Sequence, residues 1–223
     1  LVMNGIRVQD IYPYGHGWGG STVNAKLWNA FETGDTRRAA SIISIADESL
    51  DFADGKKNQR EYTGYYSKKY TPMVDAAKTS VAMAKGGVDF MVGQYQDYVS
   101  IRYSDVLLMA AELGAANAQK YFDAVRNRAF GGSAPPKTVS QAAILTERRM
   151  EFVGEGHRYW DLLRQGVNVA ASTIAETATL QTGGVNATKT IQASKITETK
   201  GLMQIPSSQI TLSNNVLKQN AGW

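Results

Sequence analysis

The sequence predicts a mainly α-helical fold, with loop-rich and short-strand segments packed around the helices. Helical periodicity is concentrated between residues 100 and about 166, where apolar side chains recur every three or four positions. Glycine and tyrosine are frequent before residue 100, and threonine, serine and asparagine are frequent after residue 167. We therefore expect one domain over 1–223, made of a loop-rich, ligand-facing region (1–99), a helical region (100–166) and an extended C-terminal tail (167–223).

Two amphipathic helices open the helical region. Each has an apolar face at helical spacing, formed by Val106, Met109, Ala110 and Leu113 in the first and by Ala118, Phe122, Val125 and Ala129 in the second. The short link between them favours an antiparallel hairpin of the tetratricopeptide type. One such hairpin cannot bury both of its faces, so we expect something outside the helical stretch to cover these helices. Where that cover is missing, we expect an apolar face to be exposed on the helices of 101–130.

Two further helical segments follow the hairpin. Thr138 and Gln141 have the spacing of a capping box, and the helix that they start ends where Gly154 and Gly156 interrupt the pattern. A last amphipathic turn ends before Gly166. Elsewhere, we expect a helix around Leu27 that ends near Gly34 and a surface strand or hairpin over 62–70. Pro206 bars any long helix from the tail.

Composition excludes several kinds of site. The chain has no cysteine and only two histidines, which leaves no disulfide, no thiolate nucleophile and little material for a zinc site or a Ser-His-Asp triad. No apolar run approaches the roughly 20 residues that span a bilayer. The tract from Lys56 to Tyr70 carries +4, which is the whole net charge, so the sequence does not predict a nucleic-acid surface. We expect no cofactor, no metal and no catalytic residue.

The most charged cluster lies between Glu147 and Arg164 and invites an acid/base interpretation. Arg148 and Arg149 nevertheless share a helical stripe with apolar residues. Arginines in such positions are expected to be partly buried and paired, here with Glu147, Glu151, Glu155 or Asp161. The cluster therefore favours a structural ion-pair network, and His157 favours a capping or packing role.

The best candidate for a binding surface is the glycine-aromatic loop, residues 12–20. Its glycines alternate with Tyr12, Tyr14, His16 and Trp18 and remove side chains beside each ring. A flat ring presented in this way can stack on the C–H face of a sugar, while nearby polar groups bind the hydroxyls. The alternative is a loop whose Trp18 covers a core.

Several blocks resemble the SusD/RagB family, the nutrient-binding outer-membrane lipoproteins of Bacteroidetes. They occur in the family's order between about residue 27 and residue 223, and they are Phe31–Arg37, Gly64–Tyr70, Ile101–Glu112, Ala124–Ala129, Ile144–Arg158, Trp160–Gly166, Leu202–Ile210 and Gln219–Trp223. Three positions depart from the usual pattern. Ala221 stands where the family often has proline, Trp223 where it has tyrosine, and Gln209 where an acid is usual.

The resemblance implies a SusD-like fold and a non-catalytic role. It implies surface binding of an oligosaccharide, or of a peptide in some members, and delivery to a TonB-dependent (SusC-like) outer-membrane transporter. It also implies that the chain matches a C-terminal half. The partner N-terminal half would carry the lipid anchor, which would be the chain's only link to the membrane. The family's ligand surface draws partly on loops that precede Phe31, where Tyr12, Tyr14, His16 and Trp18 lie.

Two other classes of function remain open on the sequence. A helical scaffold that binds only protein would show no sugar binding and would tolerate changes in the glycine-aromatic loop. A glycosidase would need two carboxylates on opposite sides of a cleft, roughly 5–10 Å apart. The acidic residues of the Glu147–Arg164 cluster are expected to be engaged with arginines, which disfavours the second class.

Overall fold

The computed structural model describes residues 2–7, 11–52, 54–87 and 97–223. The chain divides into two compact units. The large unit comprises Leu1–Gly156 with Leu180–Ala187, and the small unit comprises His157–Thr179 with Thr188–Trp223. Most described elements are helices, which confirms the predicted fold class, and the described strands form two small sheets. No described helix is long and apolar enough to cross a membrane.

The first part of the large unit is built from short elements. In chain order they are a 3-10 turn (Val2–Asn4), α1 (Ala25–Trp28), α2 (Arg37–Ser41), β1 (Ile42–Ser44), a second 3-10 turn (Gly55–Asn58), β2 (Tyr65–Ser67) and α3 (Val81–Ala84). The strands β1 and β2 pair antiparallel, with Ile43 opposite Tyr66. The helix expected to reach Gly34 ends at Trp28, and the strand expected over 62–70 is shorter than that range. That strand was also expected at the surface, which is wrong, because Tyr66 is fully buried.

The helical region contains all four expected segments. They are α4 (Tyr103–Glu112), α5 (Ala118–Ala129), α6 (Gln141–Glu151) and, in the small unit, α7 (Arg158–Leu163). Within the large unit, α4 packs against α5 and α6. The expected capping box is wrong in register: Ser140 caps α6, and its side-chain oxygen accepts a hydrogen bond from the Ala143 N–H at 3.2 Å. Serine is among the preferred residues for this position.

Three groups of buried apolar side chains form the core of the large unit. The first lies under the first strands and contains Ile6, Tyr14, Ile43, Ile45, Phe52 and Tyr66. The second lies between the helices and contains Leu108, Ala111, Phe122, Val125, Ile144 and Phe152. The third joins β1 to the end of α6 and contains Val23, Phe31, Ile42, Met150 and Val153. Because Ile42 and Ile43 belong to different groups, β1 connects the loop-rich part to the helices.

An apolar face of α4 is exposed, as expected. Val106, Met109 and Leu113 are 45%, 40% and 87% exposed, whereas Leu108 and Ala111 face the core. The predicted apolar stripe therefore lies toward solvent, and two residues outside that stripe make the packing contacts.

The residues after 166 are more structured than an extended tail. They form α8 (Val167–Ile174), a hairpin of β3 (Glu176–Thr182) and β4 (Val185–Ile191), α9 (Ala193–Glu198) and α10 (Ser207–Leu212). The description of this segment as extended is therefore wrong in its secondary structure. Within the small unit, α8 packs against α7 and α9. The tip of the hairpin, 180–187, belongs to the large unit.

Candidate functional site

The glycine-aromatic loop places its four predicted ligand residues in different surroundings. Tyr12 and Trp18 are 57% and 42% exposed, and His16 is half-buried. Tyr14 is buried, with 1% of its surface exposed. The loop therefore offers two well-exposed rings, and Trp18 lines a pocket formed by described residues.

Tyr14 belongs to the core. Its ring packs with Ile6 and Tyr66, and its hydroxyl donates a hydrogen bond to the Glu48 carboxylate at 2.5 Å. Burial, and then the hydrogen bond and the charge of Glu48, raise the pKa of Tyr14 well above its ordinary value. The expectation that Tyr14 presents its ring to a ligand is therefore corrected, because the ring has almost no surface left to present.

The glycines of this loop serve backbone packing. A Cβ on Gly17 would lie 2.2 Å from the carbonyl carbon of Gly5, and one on Gly15 would lie 3.2 Å from Pro72 Cβ. Gly19 has a φ of +69°, and a Cβ there would lie 2.7 Å from Arg7 Cβ. The physical reason for the glycine pattern is thus close approach between chain segments. The exposure of Trp18 follows from where this packing places it.

Trp18 lines a pocket of about 360 Å³ in the large unit. Gly19 and Gly20 of the same loop also line it, and three further parts of the chain contribute Met3 and Arg7, Arg60 and Glu61, and Thr182. An indole with polar and charged groups around it matches the general composition of a small-molecule site, which pairs apolar surface with a few placed polar groups. This is the candidate site, and we call it the Trp18 pocket.

Buried hydrogen bonds fix the wall of the Trp18 pocket. The side chain of Gln59, which is 1% exposed, donates from Nε2 to the Arg7 carbonyl at 2.6 Å and accepts a hydrogen bond from the Tyr66 hydroxyl. The Glu61 N–H donates to Thr182 Oγ1 at 3.2 Å. The Tyr62 N–H donates to the Gln181 carbonyl at 2.7 Å, which joins the tip of the β3–β4 hairpin to the same wall. Side chains far apart in sequence are thereby held at one place.

Sequence reasoning missed most of this wall. Arg60 and Glu61 lie in the basic tract from Lys56, just before the strand or hairpin that the sequence predicts over 62–70, and Arg7 and Thr182 belong to none of the predicted sites. The charge of the tract was the only available signal. Nothing in the local sequence indicates that residue 182 returns to the vicinity of Trp18.

A second pocket, of about 470 Å³, lies against α2 and α6. It is lined by charged side chains, among them Arg37, Arg102 and Glu151. Arg102 Nη1 donates to Glu151 Oε1 at 2.6 Å, and Arg37 Nη1 donates to Glu151 Oε2 at 3.1 Å. Arg128 also donates to Glu151. We call the whole set of coupled charges around α6 the ion-pair network.

Two more carboxylates complete the ion-pair network. Glu147 lies 2.6 Å from Arg37 and 3.0 Å from Arg126, and Glu155 lies 2.9 Å from Arg102. These distances support the predicted structural role of the cluster. The partners differ from expectation, because the glutamates bind arginines from other elements, while Arg148 lies 2.5 Å from Asp105 on α4.

The electrostatics of Glu151 disfavour acid/base chemistry in the second pocket. Burial alone would raise the pKa of Glu151, but hydrogen bonds from Arg102 and Arg128 outweigh it and lower the pKa to about 2. A general acid must hold its proton near the working pH, and a carboxyl this acidic does not. Among the described residues, no group of three or more His, Cys, Asp or Glu side chains is arranged to hold a metal ion.

The sequence profile of the SusD family matches residues 49–223, which is most of the chain. The chain belongs to the SusD family. Among curated proteins, it is 24% identical over 188 residues to SusD-like protein P2 from Formosa agariphila, a match that covers 73% of this chain and 34% of that protein. This chain therefore spans about a third of the length of that SusD relative.

Solved structures share the fold of this chain. Surface glycan-binding protein A from Bacteroides fluxus superposes with a TM-score of 0.73 at 27% identity, covering 99% of this SusD-family chain and 44% of that one. Surface glycan-binding protein A from Bacteroides thetaiotaomicron in complex with laminarihexaose superposes with a TM-score of 0.71 at 26% identity, covering 100% and 46%. These similar proteins are glycan-binding proteins by name.

Proposed function

We propose that this chain binds an oligosaccharide at the cell surface during nutrient uptake, without breaking a bond. The observation that carries the proposal is the exposed indole of Trp18 on the wall of a pocket that also holds charged and hydroxyl groups. SusD family membership and the similarity to surface glycan-binding proteins support it.

The chemistry of the Trp18 pocket suits a sugar ring. The C–H face of a sugar can stack on the indole, which buries apolar surface at little cost in side-chain entropy. Arg7, Arg60, Glu61 and Thr182 supply donors and acceptors for the ring substituents. Because hydrogen bonds from Gln59 hold part of the wall, little reorganisation is needed on binding. Tyr12 and His16 extend the proposed surface beyond the pocket.

A binding role also fits the carboxylates of the pocket. Glycosidases use a pair of carboxyl groups, commonly about 5–9.5 Å apart. The described lining of the Trp18 pocket contains one carboxylate, Glu61. In the second pocket, Glu151 and Glu155 are both paired with Arg102. We therefore propose that the protein is not an enzyme.

The proposed partners and location follow from the family. We place the whole protein at the outer membrane as a surface-exposed lipoprotein that delivers its ligand to a TonB-dependent, SusC-like transporter. The exposed apolar face of α4, with Val106, Met109 and Leu113, would pack against the remaining part of a family-length protein.

One observation favours a second candidate function. The same apolar face of α4 is a feature of helices that bind other helices or proteins. A helical scaffold without glycan binding would bind its partner through this face. A peptide-binding member of the family would bind through a peptide groove, and in neither case would Trp18 contact the ligand. The experiment below separates these cases by the ligand that binds.

The test is calorimetric titration of the 223-residue chain with laminarihexaose and with hits from a glycan array of neutral and acidic oligosaccharides. We expect Trp18→Ala to weaken binding of the strongest ligand about tenfold or more, because an aromatic anchor is lost. Trp160→Ala removes another exposed indole, in α7, and should leave the affinity unchanged. Tyr14→Phe should lower stability and spare binding, whereas Tyr12→Ala should weaken binding.

Two results would overturn the proposal. One is binding to no oligosaccharide on the array while a peptide library yields ligands, which would favour the peptide-binding candidate. The other is glycan binding that Trp18→Ala and Trp160→Ala affect equally, which would separate glycan binding from this pocket.

A further inference from the structure

Two arginines line the Trp18 pocket. Arg7 and Arg60 both line it, and they come from segments more than 50 positions apart in the chain. Arg7 Nη1 lies 3.5 Å from the Trp18 carbonyl oxygen, so this arginine is directly beside the aromatic residue. A neutral sugar is bound through hydrogen bonds to its hydroxyl groups, which uncharged donors and acceptors can supply. Two positively charged side chains are not required for that.

Neither arginine forms an ion pair with an acidic residue that the structure describes. The contrast with the rest of the unit is sharp, because Arg37, Arg102 and Arg126 each contact two or more carboxylates. The lining as a whole has two cations and one anion, Glu61, and therefore carries a net positive charge.

The fold holds the two arginines in place through one buried amide. Gln59 Nε2 binds the backbone carbonyl of Arg7 at 2.6 Å, and Gln59 is the direct chain neighbour of Arg60. The Tyr66 hydroxyl, itself fully buried, donates to the same amide. The backbones that carry the two guanidinium groups are thus tied to each other through the core, and this arrangement lowers the cost of binding one ligand group with both.

The surrounding chain strengthens the positive potential. Lys57 lies next to Gly183 at the tip of the β3–β4 hairpin, whereas Lys68 and Lys69, at the far end of the Lys56–Tyr70 tract, are paired with Glu48 and Glu155. Lys56 makes a cation–π contact, since its Nζ lies 5.0 Å from the centre of the Tyr62 ring. Clustered charge of one sign raises the local concentration and the association rate of an oppositely charged ligand.

We propose that the Trp18 pocket selects saccharides that carry an anionic group, a carboxylate or a sulfate ester, which Arg7 and Arg60 bind while the indole of Trp18 stacks on the sugar ring. This inference rests on the proposed glycan binding and adds its ligand class. Arginine suits both groups, because its planar fork matches two oxygens at once. A neutral sugar would desolvate the two charges without compensation, so it binds more weakly.

The test compares matched ligands on the 223-residue chain by calorimetry. The probes are a galacturonate hexasaccharide, its carboxyl-reduced neutral counterpart, a sulfated galactan hexasaccharide and laminarihexaose. We expect binding of one or both acidic probes to be about tenfold or more tighter than binding of the neutral ones, since charge-assisted hydrogen bonds are among the stronger ones. The acidic affinity should also fall as salt rises. The two acidic probes distinguish carboxylate from sulfate.

Matched variants assign the effect to the two arginines. Arg7→Gln combined with Arg60→Gln should remove the preference for the acidic probe, because the acidic affinity falls to about that of the neutral probe. Lys85→Gln combined with Lys120→Gln removes the same charge from exposed positions outside the pocket and should preserve the preference. Thermal unfolding of each variant checks that the fold is intact.

The outcomes separate this inference from the function on which it rests. Binding of neutral probes with equal or higher affinity than the acidic ones overturns the anionic preference and leaves glycan binding standing. A preference that both double variants reduce equally also overturns it, because the effect would then come from overall charge. Failure of every saccharide to bind contradicts the proposed function itself.

Discussion

Gly17 lies against the backbone of Gly5, so closely that a Cβ on Gly17 would stand 2.2 Å from the Gly5 carbonyl carbon. The contact continues as hydrogen bonds, with the Gly19 N–H donating to the Gly5 carbonyl at 2.9 Å and the Gly20 N–H donating to the Met3 carbonyl at 2.7 Å. Two stretches of backbone meet here with no side chain between them. Their contact determines where Trp18 stands.

The first prediction concerns that contact. We expect Gly17→Ala to destabilise the protein by about 3 kcal/mol, because the new methyl group forces the two backbones apart. It should also weaken ligand binding by moving Trp18. Gly20→Ala is the matched comparison: its Cβ would lie 3.0 Å from the Met3 carbonyl oxygen, and a small shift relieves that contact, so we expect a cost of about 1 kcal/mol. Chemical denaturation measures both, and equal stabilities of the two variants would contradict the prediction.

The second prediction concerns the ion-pair network. Glu147 is 2% exposed and binds both Arg37 and Arg126, so Glu147→Ala leaves two buried cations short of a partner. We expect a loss of about 3–5 kcal/mol in the free energy of unfolding. Glu198→Ala, which removes an exposed partner of Lys195, should cost less than about 1 kcal/mol. A near-neutral Glu147→Ala in urea titrations would show that the network contributes little.

The third prediction concerns acid stability. The pKa of Glu151 is lowered from 4.5 to about 2 in the folded protein, so folding favours its charged form. The stability that follows is fully present above pH 4.5 and is lost as pH falls from 4.5 toward 2. This carboxylate accounts for about 3 kcal/mol of that loss.

Glu151→Gln provides the check on this prediction. The variant should be less stable than the wild type at neutral pH and should show a flatter dependence of unfolding free energy on pH below 4.5. Glu32, whose pKa is also lowered to about 2, chiefly by its hydrogen bond with Arg126, contributes to what remains. Parallel pH profiles for variant and wild type would assign the acid sensitivity to other groups.

The fourth prediction separates the two faces of α4. Leu113 is 87% exposed, so Leu113→Lys should change the unfolding free energy of this chain by less than about 0.5 kcal/mol while reducing self-association and binding of a hydrophobic dye. Leu108 is fully buried, and Leu108→Ala should cost about 2–5 kcal/mol. Light scattering and thermal unfolding measure the two effects. A strongly destabilising Leu113→Lys would mean that this face is covered within the chain.

The helices could be predicted from the sequence because their signal is local. Phe122 and Val125 repeat at helical spacing and are buried, as expected. The same logic misassigned the packing face of α4, since Leu108 and Ala111 face the core while the predicted stripe with Val106 and Leu113 faces solvent. Periodicity identifies an apolar stripe, but it does not say whether the chain itself supplies a partner for that stripe.

The candidate site was less predictable because it is assembled from distant segments. Trp18 was found from its glycine-rich surroundings. Tyr14 occurs in similar surroundings but is buried, because its ring packs in the core under β1 and β2 and its hydroxyl donates a hydrogen bond to Glu48. Thr182 reaches the pocket only through the pairing of Tyr62 with Gln181. Such long-range backbone pairing leaves no local sequence pattern.

The side chain of Gln59, which holds the wall of the Trp18 pocket, keeps the same charge at every pH. A carboxamide neither gains nor loses a proton over the range in which the glutamates of the ion-pair network titrate, and arginine stays charged throughout. The described lining of this pocket contains one carboxylate, Glu61, and no histidine. In a Glu61→Gln variant, the pH dependence of ligand affinity would therefore report the ionisation of the bound molecule. That dependence would identify the charged group of the ligand.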